Sequence, residues 1–237
     1  MMPRYAHRVC YGATLMLGML IGCGFSAAQA QGEGHPGFCS AKAGDPEGDA
    51  RTVMNRVKAR LDGLSTLSCS FRREHVWKAL EKTQRIEGTI RLKKPGKLRV
   101  EYPAQTIVTD GKTAWTYTPR NKQATVTSAR QEGVEYPTPQ SIFKRYSQRK
   151  AEIAGSELIG GSDADILRLL PETEGEAEVT VWIDRALSFP VKTVEKFPNG
   201  DSAASELADV VINGKIRDDV FSFKPPDGVT VVDMREK

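Results

Sequence analysis

The chain has 237 residues, of which 39% are hydrophobic and 27% charged, and its net charge is +4. The first 30 residues hold two of the 34 basic side chains and no acid, so cleavage there leaves 32 basic against 30 acidic residues. That near-neutral balance provides no global field for nucleic acid, and the length suits one domain.

Arg4 and Arg8 open a segment in which 9–21 is almost wholly apolar, and Ala28-Gln29-Ala30 forms a small-x-small cleavage signal. This is the pattern of a secretory signal peptide over residues 1–30, and it takes the mature chain out of the cytoplasm. The apolar run is shorter than the roughly 20 residues of a spanning helix. Leu20-Ile21-Gly22-Cys23 also matches a bacterial lipobox, so a product lipidated at Cys23 and anchored to a membrane is the alternative to a soluble one. Residues 31–48 are glycine-rich and read as a flexible leader, with 49–237 as the folded domain. Cys39 and Cys69 remain after signal removal. In an oxidising compartment such an even pair is expected to form a disulfide, the alternative being two unpaired thiols.

From Asp49 to Leu64 the apolar residues Val53, Met54, Val57, Leu61 and Leu64 recur at spacings of three and four, which predicts an amphipathic helix with Asp49 as its N-cap. The period then changes to two. "LSCSFRREHV" and "QRIEGTIRLKK" read as strands, Pro95-Gly96 turns the chain, and Leu98, Val100 and Tyr102 alternate with polar residues. Gly111-Lys112-Thr113 has the last three letters of a phosphate-binding P-loop. Thr106 stands where that loop needs a glycine, and residues 113–118 alternate as a strand rather than opening a helix. A hairpin turning at Asp110-Gly111 fits better. "QATVTSA" continues the series. Pro137 and Pro139 interrupt it, and Ser141–Arg149 then reads as a short helix gathering Ile142, Phe143 and Tyr146, a cap or lid between strands. Strands resume at "DILRLLPE", "AEVTVWID", "FPVKTVEKF", "SELADVVIN" and "VFSF", with a hairpin at Asn199-Gly200. Regularly spaced amphipathic strands predict an antiparallel sheet that curls or closes.

The sequence holds no Gly-x-Ser-x-Gly elbow, no His-Glu-x-x-His and no zinc-type cysteine–histidine cluster. Neither enzyme activity nor a metal or cofactor is expected. The run Arg91, Lys93, Lys94, Lys97 and Arg99 reads either as a solvated rim or as a docking patch for an acidic partner or lipid headgroup.

"IRLKKPGKLRVEYPAQTIVTDGKTAWTYTPRNKQATV" resembles the signature of the outer-membrane lipoprotein carrier protein (LolA) family, and "DDVFSFKPPDGVTVVD" resembles that family's closing block. The resemblance implies an open, strongly curved antiparallel β-barrel with an α-helical lid, mainly β in class. It implies a monomeric periplasmic carrier without a cofactor, shielding the acyl chains of lipoproteins or another lipid. Its partners would be an inner-membrane ABC transporter complex and an outer-membrane lipoprotein receptor. A membrane-anchored relative of the same fold, acting as receptor or as carrier of another lipid, is the alternative. In the family an arginine directly before the strand-ending proline holds the lid. Here Lys94 occupies that position, with a compact ammonium in place of a planar fork. Leu92, Leu98, Val100, Trp115, Tyr117 and Phe143 are the expected lining of the cargo cavity. Each could equally be core, because pleat alternation does not say which face is hollow.

Overall fold

Proline's fixed φ suits the first turn of a helix, and α1 (Pro46–Asp62) begins on one. In the computed structural model, which describes residues 46–129 and 138–235, Asp49 therefore lies inside the first turn rather than capping it. Ala50, Val53 and Val57 form the buried stripe of α1, with Met54 and Leu61 packed alongside.

The strands are β1 (Thr66–Trp77), β2 (Lys82–Lys93), β3 (Lys97–Tyr102), β4 (Gln105–Asp110), β5 (Thr113–Thr118) and β6 (Gln123–Ser128). After α2 (Pro139–Tyr146) come β7 (Ala151–Ile159), β8 (Ser162–Leu169), β9 (Glu178–Asp184), β10 (Phe189–Lys196), β11 (Ser202–Ile212) and β12 (Thr230–Asp233). They make one open, strongly curved sheet in the order β12-β6-β5-β4-β3-β2-β1-β11-β10-β9-β8-β7. Two meanders, β1 to β6 and β7 to β11, join where β1 pairs with β11. Every pairing is antiparallel except that of β12 with β6, which is parallel. The chain reaches that edge only by crossing the outside of the first meander, so β12 arrives in the direction of β6.

Three elements depart from the sequence expectations, one of them β12, which has no counterpart among the expected strands. The segment containing Val220 and Phe221 is a 3₁₀ turn, Asp218–Phe221, not a strand. β7 has no counterpart among the expected strands: it is an edge strand exposed from residue 154 to 158, so neither face carries the alternation that marks a half-buried strand. Thr138 and Ser141 form a reciprocal capping box that starts α2 two residues earlier than the apolar spacing suggests.

The pairings sort the inner-face side chains. Leu67, Cys69 and Phe71 of β1 stand beside Leu92, Ile90 and Gly88 of β2, and Ile90 and Leu92 beside Val100 and Leu98 of β3. Gly88 is required there. A Cβ would lie 2.0 Å from the Glu101 carbonyl oxygen and 2.8 Å from the Phe71 ring. On the second meander Leu167, Leu169, Val179, Val181 and Ile183 share that inner face, and α1 and α2 pack over it through Val53, Val57, Ile142 and Phe143.

Candidate functional site

Polar anchors hold both helices. Arg56 of α1 reaches Asp165 at 3.3 Å, and Arg60 donates to the Leu187 carbonyl at 2.8 Å. Asp165 of β8 is a buried carboxylate shared between Arg56 and Arg185. In the same last turn of α1 as Arg60, Lys94 Nζ donates to the Leu61 carbonyl at 3.3 Å. The residue singled out as a lid latch thus meets the last turn of α1, where unpaired carbonyls and the helix dipole favour a cation. The hydroxyl of Tyr146 on α2 donates to Glu195 Oε1 at 3.0 Å, and Arg145 approaches the same carboxylate at 3.8 Å. Burial, followed by the Glu195 charge, raises the Tyr146 pKa above the ordinary phenol value.

Of the six expected cavity residues, Leu92, Leu98 and Val100 share the inner face of the sheet, and Phe143 lies on α2. Phe143 is 2% exposed and packs into the core beneath α2, and Val100 is fully buried. Leu92 and Leu98 are only half-buried, as are Ile86, Tyr102 and Ile107 around them. Sequence reasoning missed Ile86 and Ile107. Tight turns at Pro103-Ala104 and Gly111-Lys112 could have found Ile107, since each sets the register of the strands it joins. Next to this surface lies a cavity of about 180 Å³ lined by Arg73, His75, Gln84, Ile86 and Tyr102.

Trp115 and Tyr117 do not join that set. Val108 pairs with Trp115 and Thr106 with Tyr117, whereas Leu98 pairs with Thr109 and Val100 with Ile107. One residue of parity puts Trp115 and Tyr117 on the outer face. There Phe223 packs against both rings, at centroid distances of 5.6 and 5.7 Å. This placement corrects the expectation that the two aromatics face Leu98 across a common hollow. They belong to the floor under a C-terminal strap, residues 214–229, with Phe221 buried at its centre.

The basic run serves the same strap. Arg99 donates to the Val220 carbonyl and binds Glu101, while Lys93 and Lys97 reach Asp218 at 2.6 and 3.1 Å. The acidic partner of these cations is therefore the protein's own Asp218. Their hydrogen bonds lower its pKa below the usual carboxylate range. A hollow of about 400 Å³ between strap and sheet is lined partly by Arg91, Lys215 and Arg217. Val211, Ile216 and Val220 also line it.

Asp110 Oδ1 accepts from the backbone N–H groups of Lys112 and Thr113, both at 2.8 Å, which builds the expected hairpin. Burial pushes the Cys69 thiol up to about 12, and it is a free thiol among the described residues. Its expected partner Cys39, the signal segment and the lipidation candidate Cys23 lie outside those residues. Among the described residues no group of acidic, histidine and cysteine side chains could hold a metal ion, and no helix is long and apolar enough to cross a membrane.

Solved structures share the architecture. An uncharacterized conserved protein from Thermus thermophilus superposes with a TM-score of 0.51 at 14% identity, covering 77% of this chain and 98% of that one. LprF from Mycobacterium bovis does so with a TM-score of 0.50 at 11% identity, covering 78% and 100%. Among sequences, the outer-membrane lipoprotein carrier protein of Dechloromonas aromatica (strain RCB) is 29% identical over 200 residues, 76% of this chain and 87% of the relative. That of Chromohalobacter salexigens is 25% identical over 184 residues, 75% and 85%. Residues 62–224 match the family described as "Outer membrane lipoprotein carrier protein LolA", a span from the end of α1 through the strap's Phe223, and the chain belongs to that family.

Proposed function

We propose that this protein is a periplasmic carrier that shields the acyl chains of lipoproteins and ferries them from the inner to the outer membrane. One observation carries the reading: Ile86, Leu92, Leu98 and Ile107 form a half-open apolar strip on the inner face of a curved sheet. Burial of an acyl chain there contributes about 0.8 kcal/mol per methylene. The adjoining cavity of about 180 Å³ is smaller than the usual few hundred Å³ of a ligand site, so cargo entry requires a helix to move. α2 is the lid by position and Lys94 a latch on the end of α1. An inner-membrane ABC transporter complex would load the carrier and an outer-membrane receptor would unload it. Relatives named outer-membrane lipoprotein carrier protein support the class of cargo.

A photo-crosslinker at position 98 should label acylated lipoprotein in cells, whereas one at position 115 on the outer face should not. Equal labelling at both positions, or none at 98, removes the inner face as the cargo site. The lipobox ending at Cys23 supports a second reading, a membrane-anchored receptor or lipid carrier of the same fold. The intact mass of the mature protein separates the two, since three acyl chains and a start at Cys23 would displace the soluble reading.

A further inference from the structure

The strap leaves the sheet at Gly214, whose carbonyl accepts from the Thr66 hydroxyl at 2.7 Å. A Cβ on Gly214 would stand 2.8 Å from Val211 Cγ1, so the strap starts pressed against Val211. Residues 215–217 then cross the outer face, held where Lys93 donates to the Ile216 carbonyl at 3.1 Å. The space beside this crossing is not filled. Arg91, Ser68 and Val211 stand side by side on β2, β1 and β11, and all three line the hollow of about 400 Å³. Val211 is 52% exposed, and Ile216 and Val220 are half-buried, so part of the lining is aliphatic. One strand repeat further along β1, on the same face, a second hollow of about 370 Å³ is lined by Ser70, Arg72, Glu87 and Glu206. Two hollows in line along one strand suit an extended chain better than a single small group.

Charge is unbalanced at the strap end. Lys93 and Lys97 share the carboxylate of Asp218, and Arg91 and Arg99 share that of Glu101. Arg217 binds Asp219 at the exposed surface, and the exposed Lys215 has no ion pair among the described residues. Six cations thus meet three carboxylates, and the hollow beside the strap is lined by Arg91, Lys215 and Arg217 and by no acid. In the second hollow Glu87 and Glu206 outnumber Arg72. We propose that this groove docks an extended segment of a protein partner, with its carboxylates at the strap end and an aliphatic side chain between them seated on Val211, Ile216 and Val220. The aliphatic residue contributes its burial, and the carboxylates contribute charge-assisted hydrogen bonds to Arg91 and Lys215. A bilayer also presents anions, but its headgroups lie in a plane, whereas these cations line a concave site. The groove is on the opposite face of the sheet from Leu92 and Leu98, so a partner held there leaves the acyl strip open, and the proposal stands apart from the carrier reading.

Titration of the purified full-length protein with the capped peptide Glu-Leu-Asp-Leu, followed through its amide resonances by NMR, tests it. The signals of Val211, Lys215 and Ile216 should shift, and those of Leu92 and Leu98 should not. The uncharged Gln-Leu-Asn-Leu and the leucine-free Glu-Gly-Asp-Gly should each bind about tenfold more weakly, the scale of one charge-assisted hydrogen bond or one buried leucine. Lys215→Glu, at an exposed position, should keep the melting temperature and acyl binding of the wild type. It should weaken Glu-Leu-Asp-Leu about tenfold and leave Gln-Leu-Asn-Leu unchanged. Val211→Ser should weaken both leucine peptides.

Equal affinity for the acidic and uncharged peptides, shifts confined to the inner face, or no binding at millimolar peptide overturns the docking site and leaves the carrier reading standing. A preference for acid that survives Lys215→Glu and Val211→Ser overturns it too. If phosphatidylglycerol vesicles bind the wild type, release Lys215→Glu and the peptide does not bind, the surface belongs to a membrane and the proposal ends. Inorganic phosphate displacing the peptide at equal concentration would reduce the groove to a site for a free anion.

Discussion

The two meanders differ in where they bury apolar surface: the second on its inner face, the first on both faces. Over β7 to β11, α1 and α2 close the inner face, and Leu167, Leu169, Val179 and Val181 are fully buried. In the first meander Leu67, Cys69 and Phe71 of β1 are buried on the inner face, and the outer face is packed as well. The strap covers it, and Val108, Ala124, Val126 and Phe221 are between 0% and 2% exposed. The inner face of β2 to β4 is then left with Ile90 and Val100 buried and Ile86, Leu92, Leu98 and Ile107 half-open. A strand whose outer face supplies its stability can leave its inner face for a ligand. The strap is thus what releases the apolar strip from structural duty.

A pair of charge insertions tests this division most severely. Val181→Asp places an unpaired carboxylate under the helices at a cost of several kcal/mol, a large part of a total stability of about 5–15 kcal/mol. It should abolish the cooperative thermal transition. Leu98→Asp, at a half-open position, should keep a near-native melting temperature and lose acyl binding. If the two variants unfold alike, the inner face of the first meander is ordinary core.

The strap provides the next largest effect. Phe221→Ala removes a ring that is 2% exposed and should cost about 3–5 kcal/mol. Denaturant titration would read that loss, and acyl binding per folded molecule should persist. A loss of binding equal to that of Leu98→Asp would show that strap and strip are one structural unit.

Acid should loosen the strap side first. The side-chain hydrogen bond from Arg99 holds the Glu101 carboxyl below its usual range, with Arg91 adding its charge. A depressed folded-state pKa contributes stability that is fully present above the unfolded value. That stability is lost as pH falls through the folded value. The melting temperature should therefore drop more steeply below about pH 4 in the wild type than in Glu101→Gln. Parallel curves would assign the Arg91–Glu101–Arg99 cluster no net role.

Much of this is legible in the sequence. The period of two finds all but two strands, the Asp110-Gly111 turn reads correctly, and Leu98 and Val100 fall on one face. What fails is the relation between faces of different strands. Trp115 and Tyr117 alternate as cleanly as Leu98 and Val100, and only the register through two turns places them outside. Hydrophobicity also does not reveal what covers a strand. Phe221 and Phe223, two apart, both face the sheet, yet the backbone between them carries no ladder.

The smallest effect on stability concerns the hinge between the two regions. Lys94 follows β2 in the first meander, yet its ammonium binds the end of α1, which covers the second. The bond is exposed and 3.3 Å long, so deleting it should cost no more than about 1 kcal/mol. Lys94→Leu should therefore melt within a few degrees of the wild type. Its consequence should be kinetic. A helix end no longer tied to β2 opens more often, so a bound fluorescent fatty acid should leave Lys94→Leu faster than the wild type, with Lys94→Arg restoring the slow rate. Stopped-flow displacement measures this directly. Identical release rates from all three proteins would return Lys94 to the solvated rim and leave α2, through Tyr146 and Glu195, as the element that governs access to the inner face.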